Sequence, residues 1–287
     1  MILTILVDNN AELLSRDLYG EHGLSQFIEV DGKQILHDTG FSDLFIENAE
    51  ELGINVANID YLVFSHGHDD HTGGLKYLIE YMKEFRTKKQ KPILIAHEAV
   101  FDRKFKRDEE IGCMVDIKEI KKAFNVQLSK KMQKITDNLY FLGEIERNND
   151  FELINNPYKK LVKDENGNDV YVDDYIVEDS SLVYVKTDEK NPDKKELVII
   201  SGCAHSGICN TIEMAKKLIG DYPVISAIGG IHLIKPSEDR IVKTCEYLKG
   251  LNMESLYACH CTDLNSKIRL AQENPVKELG VGTILEF

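Results

Sequence analysis

The segment FSHGHDDHTGG places His66, His68, Asp69, Asp70 and His71 within six positions, directly after the apolar run YLVF. Folding alone gives no reason for this density. Three protonated imidazoles would repel one another, whereas neutral imidazoles beside carboxylates are ligands for zinc, iron or manganese. In extended backbone His66 and His68 point to the same side, so one ion can take both. A turn at Asp70 and His71 offers a second pair to an adjacent ion. A structural zinc site would be closed by four ligands and would favour thiolates. Histidines and carboxylates with open positions therefore point to Lewis-acid or hydroxide chemistry at two metals.

Other candidates lie further along. The six cysteines include no CxxC pair and lack the density of a disulfide scaffold, so reduced thiols are expected. Cys203 stands two residues before His205 in GCAHSG, and Cys259 and Cys261 bracket His260. Cys113, Cys209 and Cys245 read as small core residues. His232 follows two glycines in GGIHL, a pattern of close backbone approach; it is a site residue or a satisfied core histidine. Asp8, with Asn9 and Asn10, ends the first apolar run and either faces substrate or makes a turn. His97, after PILIA, reads as a packing or surface residue, and His22 and His37 read as structural.

The elements that must position these side chains are legible. Strands are expected at ILTILVD, SQFIEV and KQILHD, the last two joined as a hairpin by Asp31 and Gly32. A helix follows, with Ser42 as its cap, Leu44, Phe45 and Leu52 on one face, and Gly53 at its end. YLVFS reads as a buried strand feeding the His/Asp loop. The helix after that loop carries a stripe of Leu75, Leu78, Ile79, Met82 and Phe85. The last third repeats this scheme: ELVIIS leads into GCAHSG and a helix bearing Ile208, Ile212, Ala215 and Leu218. PVISAIGG, a helix after Pro236, SLYACH and a helix capped by Thr262 complete it. Aligning Ser65 with Ser201 superposes strand, polar loop and helix, a sign of internal duplication with both loops opening on one edge. At such an edge the residues that leave the packed layer can point into a cleft.

Residues 100–180 are charged and Asn-rich, with KRDEE, KEIKK, ERNND and KDENGNDV, and are expected to form an insertion or lid within a single domain, 1–287. With 287 residues, 43% of them apolar, the chain can bury a substantial core, which excludes disorder. A net charge of −14 leaves no general footprint for nucleic acid or an anionic membrane, although a basic cleft is compatible with it. No apolar stretch approaches a membrane span, and MILTILVDNN lacks the basic start and long apolar run of a secretory signal, so a cytoplasmic protein is expected. Oligomeric state is left open.

The HxHxDH segment, with Asp38 upstream in ILHDTG, resembles the metallo-β-lactamase superfamily. SHGHDDHTGGL, GCAHSGICNT, GGIHL, CHCT and GEIER together look like its subgroup of 7,8-dihydropterin-6-methyl-4-(β-D-ribofuranosyl)aminobenzene-5′-phosphate synthases, over nearly the whole chain from LVDN to CHCT. The resemblance implies an α/β fold, an αββα sandwich with metals at one edge between two sheets. It implies His66, His68, Asp70 and His71 as metal ligands, His260 as the late-strand ligand of the second ion, and Asp38 as the carboxylate that orients the His loop without touching metal.

The chain also departs from the superfamily pattern. No histidine lies between His97 and His205, and Gly202, Cys203 and Ala204 follow the strand where a bridging Asp would stand. His205 is then the candidate to complete the first metal site, with Cys203 as the alternative thiolate ligand. Asp70 and His232 are the expected catalytic residues. Asp8, Glu146, Arg147 and His232 are the expected substrate contacts, with Arg147 as a phosphate clamp. The implied cofactors are two divalent ions, zinc by default with manganese or iron open, and the implied substrate is small and phosphorylated or pterin-like. The family reaction joins a dihydropterin-methyl diphosphate to an aryl ribotide, with loss of diphosphate and of the carboxyl group. Two other readings stand beside it: a hydrolase of a phosphoester, lactone or thioester using a metal-bound hydroxide, and a non-catalytic sensor of a metabolite or metal.

Overall fold

The computed structural model describes residues 1–14, 17–154, 158–188 and 190–287. In the first half of the chain the elements run β1 (Ile2–Val7), β2 (Ser25–Val30), β3 (Lys33–His37), α1 (Leu44–Glu51), β4 (Tyr61–Val63), α2 (Asp69–Thr72), α3 (Leu75–Phe85), β5 (Ile93–Ala96), β6 (Lys104–Lys106), β7 (Glu109–Glu110), α4 (Ile117–Ala123), β8 (Asn125–Leu128), β9 (Gln133–Lys134) and β10 (Leu139–Phe141). There follow β11 (Tyr158–Lys163), β12 (Asp169–Asp174), β13 (Ser181–Thr187), β14 (Lys195–Ser201), α5 (Ile208–Ile219), β15 (Val224–Gly230), α6 (Glu238–Gly250), β16 (Ser255–Cys259), α7 (Leu264–Ala271) and β17 (Ile284–Glu286).

Two large sheets form, with strand orders β17-β1-β2-β3-β4-β5-β8 and β16-β15-β14-β13-β10-β9. Side-chain alternation along each strand dictates the layering. Ile5, Ile35 and Val63 of the first sheet meet Phe141, Val198 and Ile200 of the second in a core between the sheets. The opposite faces are covered by helices: Leu6, Leu36 and Leu62 pack with Phe45, Leu75 and Leu78, and Leu197 and Ile199 pack with Ile212, Ile241 and Leu270. The result is the expected αββα sandwich. The β2–β3 hairpin turns at Asp31 (φ 52°) and Gly32 (φ 69°), the pair of left-handed residues that the sequence foretold.

Two helix caps differ from expectation. The N-caps are Asp43 and Asp263 rather than Ser42 and Thr262. Ser42 Oγ still accepts the Leu44 N–H at 3.1 Å, while the Asp263 carboxylate, able to accept strongly, takes the Ser266 N–H at 2.8 Å.

Strands β3, β4, β5 and β8 run parallel, as do β14, β15 and β16. Each parallel step needs a crossover helix, so the C-terminal ends of both parallel sets lie at the edge where the candidate residues stand. The charged stretch 100–180 is divided among three places. Strand β8 extends the first sheet and β9–β10 extend the second, while β12-β11-β6-β7 make a separate four-stranded sheet. That small sheet is stitched to the His loop, where Asp69 N–H donates to Ile111 O at 2.8 Å.

Candidate metal centre

Four of the loops at this edge turn through left-handed non-glycine residues: Asp38 (φ 61°), Ala204 (φ 53°), His232 (φ 47°) and His260 (φ 46°), which directly follow or lie just beyond β3, β14, β15 and β16. A residue of this kind costs on the order of 1 kcal/mol or more and persists only where its surroundings over-determine it. Here the strain aims side chains from both sheets at one point.

Asp38 is fully buried and spends both oxygens. Oδ1 accepts the Ser65 N–H at 2.8 Å, and Oδ2 accepts Ser65 Oγ–H at 2.7 Å and lies 2.7 Å from His71 Nδ1. Burial opposes its charge, yet His37, His71 and Ser65 together hold its carboxyl below the usual range. The carboxylate thus ties Ser65 and His71 of the His loop to the end of β3.

His66 Nε2 lies 3.0 Å from His68 Nδ1 and 3.2 Å from His205 Nε2. All three rings are buried, and burial pushes each imidazole towards its neutral form, His68 down to about 3 and His66 and His205 well below the ordinary value. His68 Nε2 and His205 Nδ1 are buried without a hydrogen-bond partner among the described residues. Three neutral nitrogens facing one another have no mutual reward, but their spacing approaches the roughly 3.3 Å edge of a tetrahedron with metal–nitrogen bonds of about 2.0–2.1 Å. The residues fit a divalent ion. His205, the uncertain ligand of the sequence, stands in this set.

A second set adjoins it. Asp70 Oδ2 lies 3.2 Å from His22 Nε2 and 3.3 Å from His260 Nε2, and His71 Nε2 lies 3.3 Å from His260 Nε2 and 3.2 Å from Cys203 Sγ. Burial works against the charge of Asp70, yet His71, His22 and His260 hold its carboxyl well below the usual range. His71 is buried between carboxylates; Asp70 and Asp38 outweigh its burial and raise it to about 9. Cys203 lies between the sets: its Sγ groups with His66 and His71, and also with His260 and Cys261. Both candidates of GCAHSG therefore reach the centre, each toward a different donor set.

Other residues take different places from those expected. Asp8 does not face the cleft. It is buried, its Oδ1 accepting the His260 N–H at 2.8 Å and its Oδ2 the Asn10 N–H at 2.9 Å, so it holds the His260 loop. Asn9 Oδ1, 2.8 Å from His260 Nδ1, leaves Nε2 free to turn inward. Arg147 is partly committed, because its Nη2 donates to Tyr175 O at 2.6 Å and Ile176 O at 3.0 Å while its Nε is buried without a partner among the described residues, and it does not line the cleft that His205 borders. Glu146 is exposed and pairs with Lys217 at 2.7 Å on another face. The glycine close approach before His232 is to protein: a Cβ on Gly230 would lie 2.5 Å from Gly202 O and 2.6 Å from Cys261 Sγ. His232 itself borders the cleft with its ring 4.2 Å from that of His205, and burial, then Arg240, pushes it down to about 4. His37 is structural, bonded to Gln26 at 2.7 Å, and buried His97 accepts the Ala99 N–H.

His22 was read as structural from the sequence, but it stands against Asp70. Nothing in its spacing marks it; the available signal was Gly23, where a Cβ would lie 2.6 Å from Asp70 O, so the chain here presses on the His/Asp loop. His205 and His232 border a cleft of about 720 Å³ whose walls include Phe105, Phe151 and Tyr158. Its lining carries Lys106, Arg107, Lys159, Lys235 and Arg240 and, among the described residues, no carboxylate.

Residues 18–83, which span the HxHxDH segment, match the family model of the metallo-beta-lactamase superfamily. The chain is 32% identical over 282 residues to the 7,8-dihydropterin-6-methyl-4-(beta-D-ribofuranosyl)-aminobenzene-5′-phosphate synthase of Methanocaldococcus jannaschii, covering 94% of this chain and 91% of the relative. It is 30% identical to an uncharacterized protein of the same organism over 99% of both chains. Among solved structures, Tm1679, described as a metal-dependent hydrolase of the beta-lactamase superfamily, matches with a TM-score of 0.79 and 26% identity, over 100% of this chain and 99% of that one. A diphosphatase of the PhnP family shares the fold, with a TM-score of 0.53 and 17% identity, over 100% and 97% of the two chains. The chain belongs to the metallo-β-lactamase superfamily, in the subgroup that includes this dihydropterin–ribofuranosylaminobenzene phosphate synthase.

Proposed function

We propose that this single-domain, cytoplasmic protein is a metal-dependent enzyme that activates a small phosphorylated or diphosphorylated, pterin-like metabolite at a dinuclear centre. One observation carries the reading: two convergent donor sets adjoin each other, and the first of them reaches, through His205, a cation-lined cleft with no carboxylate among its described lining residues, in a chain whose net charge is −14. His66, His68 and His205 would hold one ion, and Asp70, His71 and His260 the other, with Cys203 and His22 within reach of the second. Zinc suits these nitrogen and sulfur donors, and manganese or iron would also take the histidines and carboxylate. When bound, the ions supply Lewis-acid stabilisation of the charge that grows on a leaving diphosphate.

The chain's own side chains do the rest. Lys106, Lys159 and Lys235 draw an anionic substrate into the cleft, and Phe105, Phe151 and Tyr158 offer faces for a flat heterocycle and exclude water. His232, pushed towards its neutral form by burial and bordering the same cleft, can hold a hydrogen bond to the substrate. Asp70, gripped by His22 and His260, serves as an anchor in the second donor set rather than as a mobile base.

The resemblance to Tm1679 favours a hydrolase as the second reading. Metal analysis of the purified protein, coupled to a screen of dihydropterin-methyl diphosphate with and without an aryl ribotide, decides between them. A coupled product with release of diphosphate supports the synthase, and hydrolysis that ignores the second substrate supports the hydrolase. Ligand binding without turnover would leave a sensor. Absence of transition metal after reconstitution would overturn the metal-enzyme reading altogether.

A further inference from the structure

Arg240 is the cleft residue whose chemistry is left unspent. Its Nε and Nη2 are shielded from solvent and have no hydrogen-bond partner among the described residues. The half-buried Arg86 and Arg147 also leave Nε without a partner, but each commits terminal nitrogens to carbonyls, Arg86 to Ala57 O, Ile59 O and Gln90 O and Arg147 to Tyr175 O and Ile176 O, whereas the Arg240 side chain has no such bond among the described residues. The acid nearest to Arg240 in charge, Glu152, is committed elsewhere, accepting the N–H groups of Cys209 at 3.0 Å and Asn210 at 2.9 Å and the amide of Asn149. Arg240 also stands in the first turn of α6, behind the Ser237 cap, where the positive end of the helix dipole disfavours a cation. Burial depresses its pKa, and the charge of Glu152 offsets that burial only in part. A desolvated guanidinium with no partner, in an unfavourable place, on the wall of a cleft, is a cost to folding that an anionic ligand would offset.

The pair of unpartnered donors has a shape. Nε and Nη2 form one edge of the guanidinium fork, the edge that takes two oxygens of one oxyanion side by side. Lys106, Arg107 and Lys235 line the same cleft, and together these charges suit a dianion better than a single carboxylate.

We propose that Arg240 is the oxyanion-recognition residue of this cleft, its guanidinium turning from its shielded position on the wall to take a phosphate monoester of the substrate side-on through Nε and Nη2. The assignment rests on the reading that the substrate is phosphorylated, and it gives the clamp expected of Arg147 to a residue that lines the cleft and spends no donor on the described residues. The test is calorimetric titration of the metal-loaded protein with inorganic phosphate and, at matched ionic strength, with acetate. Phosphate affinity should fall at least tenfold in Arg240→Met, which keeps the apolar stem packed, and Arg240→Lys, which keeps the charge but loses the fork, should lie between it and the unmodified protein. Acetate should bind more weakly and respond little. Unchanged phosphate binding in Arg240→Met overturns the assignment, as does acetate binding that depends on Arg240 as strongly as phosphate does. The two readings fail separately. A metal-loaded, active enzyme indifferent to Arg240→Met refutes only the clamp, whereas a protein that holds no metal yet loses phosphate with Arg240→Met refutes only the metal enzyme.

Discussion

His205 and Cys203 are two residues apart but serve different neighbours, His66 and His71 respectively. His205→Ala should therefore release one ion of two, read by elemental analysis, while Cys203→Ser should keep the ion held by His66, His68 and His205. Cobalt substitution separates them further: an intense sulfur-to-metal charge-transfer band is expected if the Cys203 thiolate binds, and Cys203→Ser should abolish it. A band that survives Cys203→Ser would move the sulfur ligand elsewhere, with Cys261 the neighbouring thiol. Asp38 acts through Ser65 and His71. Asp38→Ala should lower metal affinity by about 10- to 100-fold with the far-UV spectrum unchanged, and an unaltered metal titration would remove it from the site.

Among elements, the small sheet depends on a buried strut. Lys104 of β6 is fully buried, with Nζ 3.0 Å from Asp174 at the end of β12 and 2.7 Å from Glu178. The pairing does not imply large net stabilisation, because desolvation offsets much of the attraction. Removing one partner is a different matter, since it strands two buried carboxylates. Lys104→Met should cost about 3–5 kcal/mol in urea unfolding. A loss below about 1 kcal/mol would mean that water reaches the carboxylates and that the strut is not sealed. The sequence marked this stretch only as charged, because one buried lysine among many exposed ones has no local signature. Its partners lie 70 and 74 positions away and are brought to it by the pairing of β6, β11 and β12.

Across the whole molecule, the hairpins of the two large sheets meet at Asp31. Its Oδ2 accepts Thr136 Oγ–H at 2.7 Å and the Asn138 N–H at 2.9 Å, and Oδ1 accepts the Asn138 amide at 2.9 Å. Partial burial opposes its charge, but these donors hold its carboxyl below the ordinary value. A carboxyl depressed in the folded state contributes stability that is present above its unfolded value, near pH 4, and lost as pH falls through the folded value. Asp31 is exposed, so the contribution is about 1 kcal/mol at most. Melting temperature followed from pH 5 to pH 2 should fall more steeply for the unmodified protein than for Asp31→Asn, and parallel curves would show that the link carries no net stability.

What the amino-acid sequence determined was everything written in local pattern. Alternating apolar residues specified the strands and their layering, the Asp31-Gly32 pair specified the hairpin, and the crowding of His66, His68, Asp70 and His71 announced a metal chemistry that no packing requirement explains. The tertiary structure alone decided which distant residues complete it. His22, Asn9 and Asp8 come from segments with no metal-like spacing, and Arg147 and Arg240 carry the same guanidinium in equally unremarkable contexts. One spends a terminal nitrogen on two carbonyls just beyond β12, and the other stands on the wall of a cleft with no side-chain bond to the described residues. That difference follows from where backbone acceptors fall once the two sheets and the loops beyond their strands have closed on one edge, and hydrogen-bond geometry at that range is set by the packed fold rather than by any stretch of neighbouring residues.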